Sequence, residues 1–392
     1  EAEQGRLLYG NYGMTAPGPI WNQLRRPLKN AANTSVVALT DRVLALWEGG
    51  RPHALDLETL ATLGEANLAG PAGRLEGAEA FSAHPKRDPD SGQLYNFGVE
   101  IPGRNARLLL YRCDPSGRLL AKRAHVPFIH DWVMAGQYLV FLVPPVRIGV
   151  LKVLAGLKSF SEAMAWRPEL GTQILVFDRD TLALVARGET EPFFQWHFGN
   201  GAVAGMERTA GHGSLVLDVA RYPDFSTNDH LREVPRGRTT TPARATLWRM
   251  ILEPASARVT ELAEMTGQSV EFPTVTPADV GRPWRHTYLA AHRPGTDSTK
   301  ERYDTLACFD HAQDRLTIAD LGNARYPSEP MVVADKTDPA RQWLISIVCD
   351  GETLGSEVWI FSADALDRGP ECVLRLPELV PLGFHGCWRP AP

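Results

Sequence analysis

The sequence predicts an all-β fold built as a β-propeller, and three observations carry that prediction. The 34 glycines and 30 prolines among its 392 residues separate short apolar runs rich in β-branched and aromatic side chains, such as Val36–Leu39, Tyr138–Val143 and Trp343–Val348. Long amphipathic helical patterns are nearly absent. One motif also recurs: an apolar strand, an Asp or similar polar residue, a short turn and a second apolar stretch.

The copies follow one another along the chain. His53-Ala-Leu-Asp56-Leu-Glu-Thr-Leu60 and Leu175-Val-Phe-Asp178-Arg-Asp-Thr-Leu182 are the clearest. Looser copies centre on Asp114, Glu253, Asp310 and Ser362, so successive anchors lie 52–75 residues apart. Asp favours such positions because its carboxylate caps its own turn. Six hairpins at this spacing suit the four-stranded blades of a propeller; an irregular β-sandwich would hold the same hairpins and stays open on pattern alone. Helix is expected in few places, the clearest being Ser159–Trp166, where Ser159 and Glu162 have the spacing of a capping box. No low-complexity linker interrupts the chain, so residues 1–392 are expected to form a single domain.

Composition narrows the function. Hydrophobic residues make up 44% and charged residues 22%, and the net charge is −5 with the two signs mixed along the chain, which excludes the basic stripe of a nucleic-acid binder. The five cysteines include no Cys-x-x-Cys pair, so reduced thiols are expected rather than a zinc or disulfide framework. No run of about 18 apolar residues exists to cross a membrane as a helix. The first residues, Glu-Ala-Glu-Gln-Gly-Arg, do not read as a signal peptide, and a cytoplasmic location is expected.

Eleven histidines are present, none in an H-x-x-x-H or H-E-x-x-H pair, so a metal site would have to gather ligands from distant segments. A propeller permits this, because the inner strands of its blades converge on one axis. Local context separates four. His84 lies in Phe81-Ser-Ala-His-Pro85, His130 in Pro127-Phe-Ile-His-Asp-Trp132, His197 in Phe193-Phe-Gln-Trp-His-Phe198 and His385 in Gly383-Phe-His-Gly-Cys-Trp388. Apolar flanks predict burial, and burial favours the neutral imidazole that ligates metals. A lone buried histidine is more often a satisfied core residue. His212, His230 and His311 sit in polar, turn-like settings, and context leaves His53 and His125 undecided.

At these four contexts the sequence resembles the carotenoid cleavage oxygenase family, which includes apocarotenoid oxygenases, stilbene-cleaving dioxygenases and a retinoid isomerase. The resemblance runs through Lys29-Asn-Ala-Ala-Asn-Thr34, Leu44-Ala-Leu-Trp-Glu-Gly-Gly50, Ser82-Ala-His-Pro-Lys86, Phe128-Ile-His-Asp131, Trp166-Arg-Pro-Glu-Leu-Gly171, Ala220-Arg-Tyr-Pro-Asp224, Glu271-Phe-Pro273, Tyr326-Pro-Ser-Glu-Pro330 and Phe384-His-Gly386. Each is weak alone; nine in family order are specific. The resemblance implies a seven-bladed propeller with short helices and loops capping the metal face. It implies iron(II) held by His84, His130, His197 and His385, with Glu48, Glu271 and Glu329 paired to His130, His197 and His385. A ligating imidazole needs such an acceptor for its other N–H, which fixes tautomer and orientation. Imidazole ligands alone suit several first-row metals, so the choice of iron comes from the resemblance.

Thr34 matches the family position whose side chain crowds one of the two remaining coordination positions. The other would take O2, and both oxygen atoms are expected in two carbonyl products of a cleaved conjugated double bond. The substrate is expected to be long, apolar and conjugated, entering past Trp132, Phe194, Trp196, Phe272, Phe384 or Trp388, of which no more than half should line the path. Stilbene-cleaving members carry a lysine just before the first glutamate, where this chain has Trp47, which favours an apocarotenoid. Apolar residues interleaved with Arg147, Lys152 and Lys158 over 146–158 suit a peripheral membrane contact, with a buried strand and loop as the alternative reading.

The sequence departs from the family in two places. Members begin with an Arg-Asn-Gly-Pro and a His-Trp-Phe-Asp-Gly segment absent here, a stretch of about one to two blades. The run Phe198-Gly-Asn-Gly-Ala-Val-Ala-Gly205 after His197 is less polar than in relatives. An isomerase on the same iron site and a non-catalytic carotenoid-binding propeller are the competing functions.

Overall fold

The structure, a computed structural model, describes residues 30–100, 107–125, 129–149, 161–204, 213–234, 237–338 and 340–390. Six antiparallel sheets of four or five strands follow one another along the described residues, beside one two-stranded sheet. Blade 1 comprises Ser35–Ala38, Arg42–Leu46, His53–Asp56 and Thr62–Glu65, and blade 2 comprises Lys86–Arg87, Leu94–Glu100, Arg107–Cys113 and Leu119–His125. Blade 3 comprises Val133–Ala135, Tyr138–Val143, Thr172–Asp178 and Leu184–Thr190. Blade 4 runs Phe194–Val203, Leu215–Tyr222, Thr246–Glu253 and Arg258–Thr266, and blade 5 runs Val270–Thr274, His286–Ala291, Thr305–Asp310 and Arg315–Ile318. Blade 6 has two short inner strands, Arg325–Pro327 and Met331–Ala334, followed by Gln342–Asp350, Gly355–Ser362 and Cys372–Arg375.

Every sequence anchor marks the end of its blade's next-to-last strand. Asp56, Asp178, Glu253, Asp310 and Ser362 close theirs, and Asp114 follows Cys113. The turn chemistry is the expected one: Asp56 Oδ1 accepts the Thr59 N–H at 2.8 Å, Asp114 Oδ1 that of Arg118 at 2.9 Å, and Asp178 Oδ1 that of Thr181 at 2.8 Å. Six anchors therefore correspond to six blades among the described residues. The seventh, implied by the family resemblance and by no anchor, is not among them.

Alternation along each strand gives both faces of a blade an apolar surface, and consecutive blades bury these against each other. Tyr95, Phe97 and Leu110 of blade 2 meet Trp132, Phe141 and Phe177 around blade 3. Val140 and Val176 of blade 3 meet Leu217, Val219 and Met250 of blade 4. Similar cores join blades 1 and 2, 4 and 5, and 5 and 6. The last described segment returns to blade 1, where the His385 N–H donates to Thr34 O at 3.2 Å.

Of the stretch Ser159–Trp166, expected to be helical, residues 161–166 are described and do not form an α-helix. Ser161–Ala163 make a single 3₁₀ turn and Met164–Trp166 form a strand paired with Val146–Ile148. Glu162 reaches Arg232, and Met164 and Trp166 pack beside Phe194, Tyr222 and Phe225; tertiary packing overrides local propensity at 164–166. Residues 150–160 lie outside the described residues, and so does most of the stretch expected to touch a membrane. No helix among the described residues is long and apolar enough to cross one.

Close approach of backbones sets up one test. A Cβ on Gly98, in blade 2, would collide with the carbonyl oxygen of Ala80 in the segment leading to His84. Gly98→Ala is expected to destabilise the protein by about 1–3 kcal/mol, because neither backbone can yield cheaply. Urea unfolding monitored by tryptophan fluorescence measures this.

Candidate metal centre

Each blade delivers its contribution at or beside its innermost strand. Thr34 immediately precedes that strand in blade 1, and Glu48 follows the blade's second strand. His84 stands two residues before Lys86–Arg87 of blade 2, and His130 three residues before Val133–Ala135 of blade 3. His197 lies within the inner strand of blade 4 and Glu271 within that of blade 5. Glu329 joins the two inner segments of blade 6, and His385 lies on the returning segment beyond it.

Two bulges aim the residues that sit within strands. Gln195 pairs with Arg221 but Phe198 with Val219, so Trp196 and His197 together oppose Ala220. Glu271 pairs with Ala290 but Thr274 with Tyr288, so Phe272 and Pro273 oppose Leu289. A bulge of this kind breaks the ladder and redirects a side chain. Phe272 adopts φ 50°, a backbone conformation that costs a non-glycine residue about 1–3 kcal/mol. Its N–H donates to Glu271 Oε2 at 2.6 Å, so the carboxylate holds the bulge that presents it.

The four histidines converge. One ring nitrogen each of His84, His197 and His385 lies within 4.8 Å of the others, and His84, His130 and Glu48 form a second such group. Ring centroids of His84 and His130 are 4.6 Å apart, and those of His130 and His197 are 5.6 Å apart. Two of the three expected carboxylate pairs are hydrogen-bonded, and Glu48 lies beyond hydrogen-bond distance of His130 and 3.6 Å from His84 Nε2. His197 Nδ1 lies 2.6 Å from Glu271 Oε2 and His385 Nδ1 2.9 Å from Glu329 Oε1, while His130 Nδ1 is 3.7 Å from Glu48 Oε1. Thr34 donates its hydroxyl to Glu48 Oε2 at 3.3 Å, and Tyr222 donates to Glu271 Oε1 at 3.2 Å.

Burial and charge act on the rings in different directions. Burial holds His84 and His130 well below the usual imidazole range, with neighbouring imidazoles adding to the effect. Burial also pushes His197 down, but the charge of Glu271 and its hydrogen bond prevail, so His197 is raised. His84 Nε2 is buried without a hydrogen-bond partner. Such an atom costs free energy unless something unseen satisfies it, and several convergent imidazole nitrogens are the donor set of a first-row transition metal. The residues present therefore fit a bound metal.

Two participants were not anticipated. Asp131, only 1% exposed, places Oδ1 3.6 Å from His84 Nδ1 and 3.1 Å from Lys86 Nζ, and its Oδ2 accepts the Phe198 N–H at 3.0 Å. Burial works to raise this carboxyl, but Lys86, His84, His197 and the Phe198 N–H outweigh it and leave it well below the usual carboxylate range. The available signal was an acidic residue between a candidate ligand and a tryptophan in an apolar run. Asn200 is the other. The stretch after His197 continues the inner strand of blade 4, and Asn200 ties it to blade 5 by donating to Asp279 O and Arg282 O and accepting from the Gly281 N–H.

The aromatic candidates divide. Trp196 meets His130 edge-on at 4.7 Å and Phe272 stacks on His197 at 5.1 Å. Trp132 and Phe194 are instead core residues, Trp132 fully enclosed between blades 2 and 3, and Phe384 and Trp388 are exposed. Of the remaining histidines, His230 bonds Thr241 O and His292 bonds Ser269 Oγ and Glu301 O. His311 opens a turn, yet its ring is buried against Asp218, Thr287 and Arg249.

The family model described as retinal pigment epithelial membrane protein matches residues 1–390. The chain belongs to the carotenoid oxygenase family. The chain is 30% identical over 406 residues to the apocarotenoid-15,15'-oxygenase of Synechocystis sp., spanning 99% of the chain and 79% of that relative. It is 26% identical over 418 residues to resveratrol cleavage oxygenase 1 of Aspergillus fumigatus, spanning 99% of the chain and 78% of the relative. Among solved structures, cobalt-substituted Synechocystis ACO superposes with a TM-score of 0.84 at 28% identity, covering 100% of this chain and 81% of that one.

Proposed function

We propose that this protein is a non-haem iron(II) dioxygenase that cleaves a conjugated carbon–carbon double bond of an apocarotenoid-type substrate with O2, giving two carbonyl products. The observation that carries the reading is the convergence of four imidazoles, three of them facing a glutamate, around a buried and unpartnered His84 Nε2. His84, His130, His197 and His385 would hold the iron, which when bound supplies the electrons that let O2 react with an organic double bond.

The protein's own residues prepare that chemistry. Glu271 and Glu329 accept the Nδ1 protons of His197 and His385, so each ring keeps Nε2 for the metal. Glu48 is steadied by the Thr34 hydroxyl and faces His130. We assign Thr34 to crowding one of the open coordination positions. Trp196 and Phe272 offer aromatic surface beside the ligands, suited to a flat conjugated chain. Trp47, half-buried directly before Glu48, has no charge with which to engage a phenol, and the similarity to the Synechocystis apocarotenoid-15,15'-oxygenase supports the same preference.

Reconstituting the protein with iron(II) under anaerobic conditions, admitting 18O2 and analysing products from apocarotenals, carotenes and hydroxystilbenes tests the reading. Label is expected in both carbonyl products of an apocarotenal. Absence of label from either product would overturn the dioxygenase assignment, and cleavage of a hydroxystilbene but no apocarotenal would overturn the substrate class.

A further inference from the structure

Glutamates stand beside the Nδ1 atoms of His197, His385 and His130, whereas Glu48 approaches His84 only on Nε2, at 3.6 Å, and the carboxylate beside His84 Nδ1 is that of Asp131. We propose that Asp131 is the fourth carboxylate of the centre, a positioning residue that accepts the Nδ1 proton of His84 and ties three of the four ligand-bearing segments together. The inference rests on the metal-binding reading above and extends it to a residue that the reading leaves unused.

The geometry repeats around the ring. His197 and His385 each turn Nδ1 to a glutamate oxygen, at 2.6 and 2.9 Å. His130 turns Nδ1 to Glu48 at 3.7 Å, and His84 turns Nδ1 to Asp131 Oδ1 at 3.6 Å. The two longer contacts exceed the usual hydrogen-bond limit of about 3.2 Å by roughly 0.4–0.5 Å. Both oxygens involved, Glu48 Oε1 and Asp131 Oδ1, are buried and make no hydrogen bond, as is His84 Nε2 on the other side of the ring. Glu48 Oε1 thus has no donor of its own and Asp131 Oδ1 has only the Lys86 ammonium at 3.1 Å, so each has room to accept the Nδ1–H of a metal-ligating imidazole.

Asp131 also reaches the other ligands. It follows His130 in the chain, and its Oδ2 accepts the N–H of Phe198, the residue after His197. Lys86, two residues beyond His84, places its ammonium 3.1 Å from Oδ1 and offsets the cost of burying the charge. His84 itself is fixed from behind by the Trp132 indole N–H, which donates to its carbonyl at 2.9 Å. One carboxylate thus joins blades 2, 3 and 4 at the positions from which they present His84, His130 and His197.

Asp131→Asn separates this role from simple filling of space. An asparagine that keeps its oxygen on the Phe198 N–H must turn its NH2 towards His84 Nδ1, a donor where an acceptor is required; reversed, it sets NH2 against the Phe198 N–H. Titration of the metal-free protein with cobalt(II), followed by electronic absorption, reads both affinity and ligand set. Wild type is expected to take up one cobalt(II) with a spectrum of nitrogen ligation. Asp131→Asn, with an unchanged circular dichroism spectrum, is expected to bind about 10–100-fold more weakly and to show an altered ligand-field spectrum. Wild-type affinity and spectrum in the variant would overturn the assignment, whereas failure of wild type to bind cobalt(II) would instead remove the metal reading beneath it.

A second measurement needs no variant to fold at position 131. In zinc-loaded wild type with 15N-labelled histidine, the His84 Nδ1–H, assigned by its loss in His84→Gln, is expected to be shifted downfield and protected from solvent exchange like those of His197 and His385. Exchange as fast as in free imidazole would overturn the proposal.

Discussion

Trp132→Ala is expected to lower the unfolding free energy by about 3–5 kcal/mol, and to weaken metal binding although Trp132 touches no metal-binding atom. Its indole is fully buried and stacks on Phe141 with centroids 5.5 Å apart and planes 12° from parallel, at the joint between blades 2 and 3. Truncation to alanine leaves a cavity whose lining includes Phe97, Phe141 and Phe177, large rings that cannot collapse into it. It also leaves the His84 carbonyl without the indole N–H that holds it. Trp132→Phe separates the two effects: most of the packing is kept and the hydrogen bond is lost, so a destabilisation of about 1–2 kcal/mol is expected with a comparable loss of cobalt(II) affinity. Urea unfolding and cobalt(II) titration of both variants provide the check. Equal metal affinity in wild type and Trp132→Ala would show that His84 does not depend on this support.

Trp132 also shows where sequence reading stops. Its position beside His130 and Asp131 suggested a wall of the substrate path, because adjacency along the chain was the information available. In space its indole is enclosed in an inter-blade core with Phe97, Phe141 and Phe177. The six anchors were legible because their chemistry is local: an aspartate closing its own turn needs only the next few residues. The histidines were legible as buried positions for the same reason, through their apolar neighbours. Their glutamates became legible through family motifs, since Glu48 and His130 lie in different blades and no spacing links them. What stayed hidden depends on register and on long-range pairing. The bulges at Trp196–His197 and Phe272–Pro273 exist only relative to the partner strands. The Asp131–Lys86 contact joins residues brought together by the packing of blades 2 and 3. The expected helix does not run through 164–166 because Met164 and Trp166 gain more by pairing with Val146–Ile148 and packing on Phe225 than by continuing a short helix.

Glu271 is where fold and centre are most tightly coupled, and two substitutions there are expected to part company. Its carboxylate is 2% exposed and accepts three donors: His197 Nδ1–H and the Phe272 N–H on Oε2, and the Tyr222 hydroxyl on Oε1. Glu271→Ala orphans all three inside the protein and releases the strained Phe272 bulge, so a loss of about 3–5 kcal/mol in stability is expected together with loss of metal binding. Glu271→Gln can keep every contact. Its oxygen takes the place of Oε2, its NH2 faces the Tyr222 oxygen, and the Tyr222 hydrogen turns to Tyr303, whose hydroxyl lies 3.5 Å away. Only the negative charge is lost. The glutamine variant is therefore expected to unfold within about 1 kcal/mol of wild type, yet to bind cobalt(II) about 10–100-fold more weakly, because a neutral amide accepts the His197 proton less strongly and no longer offsets the charge of the ion. Urea unfolding of the metal-free variants, set beside cobalt(II) titration, reads both quantities. Equal destabilisation by alanine and glutamine would mean that the charge, rather than the acceptor geometry, holds the bulge at Phe272 in place.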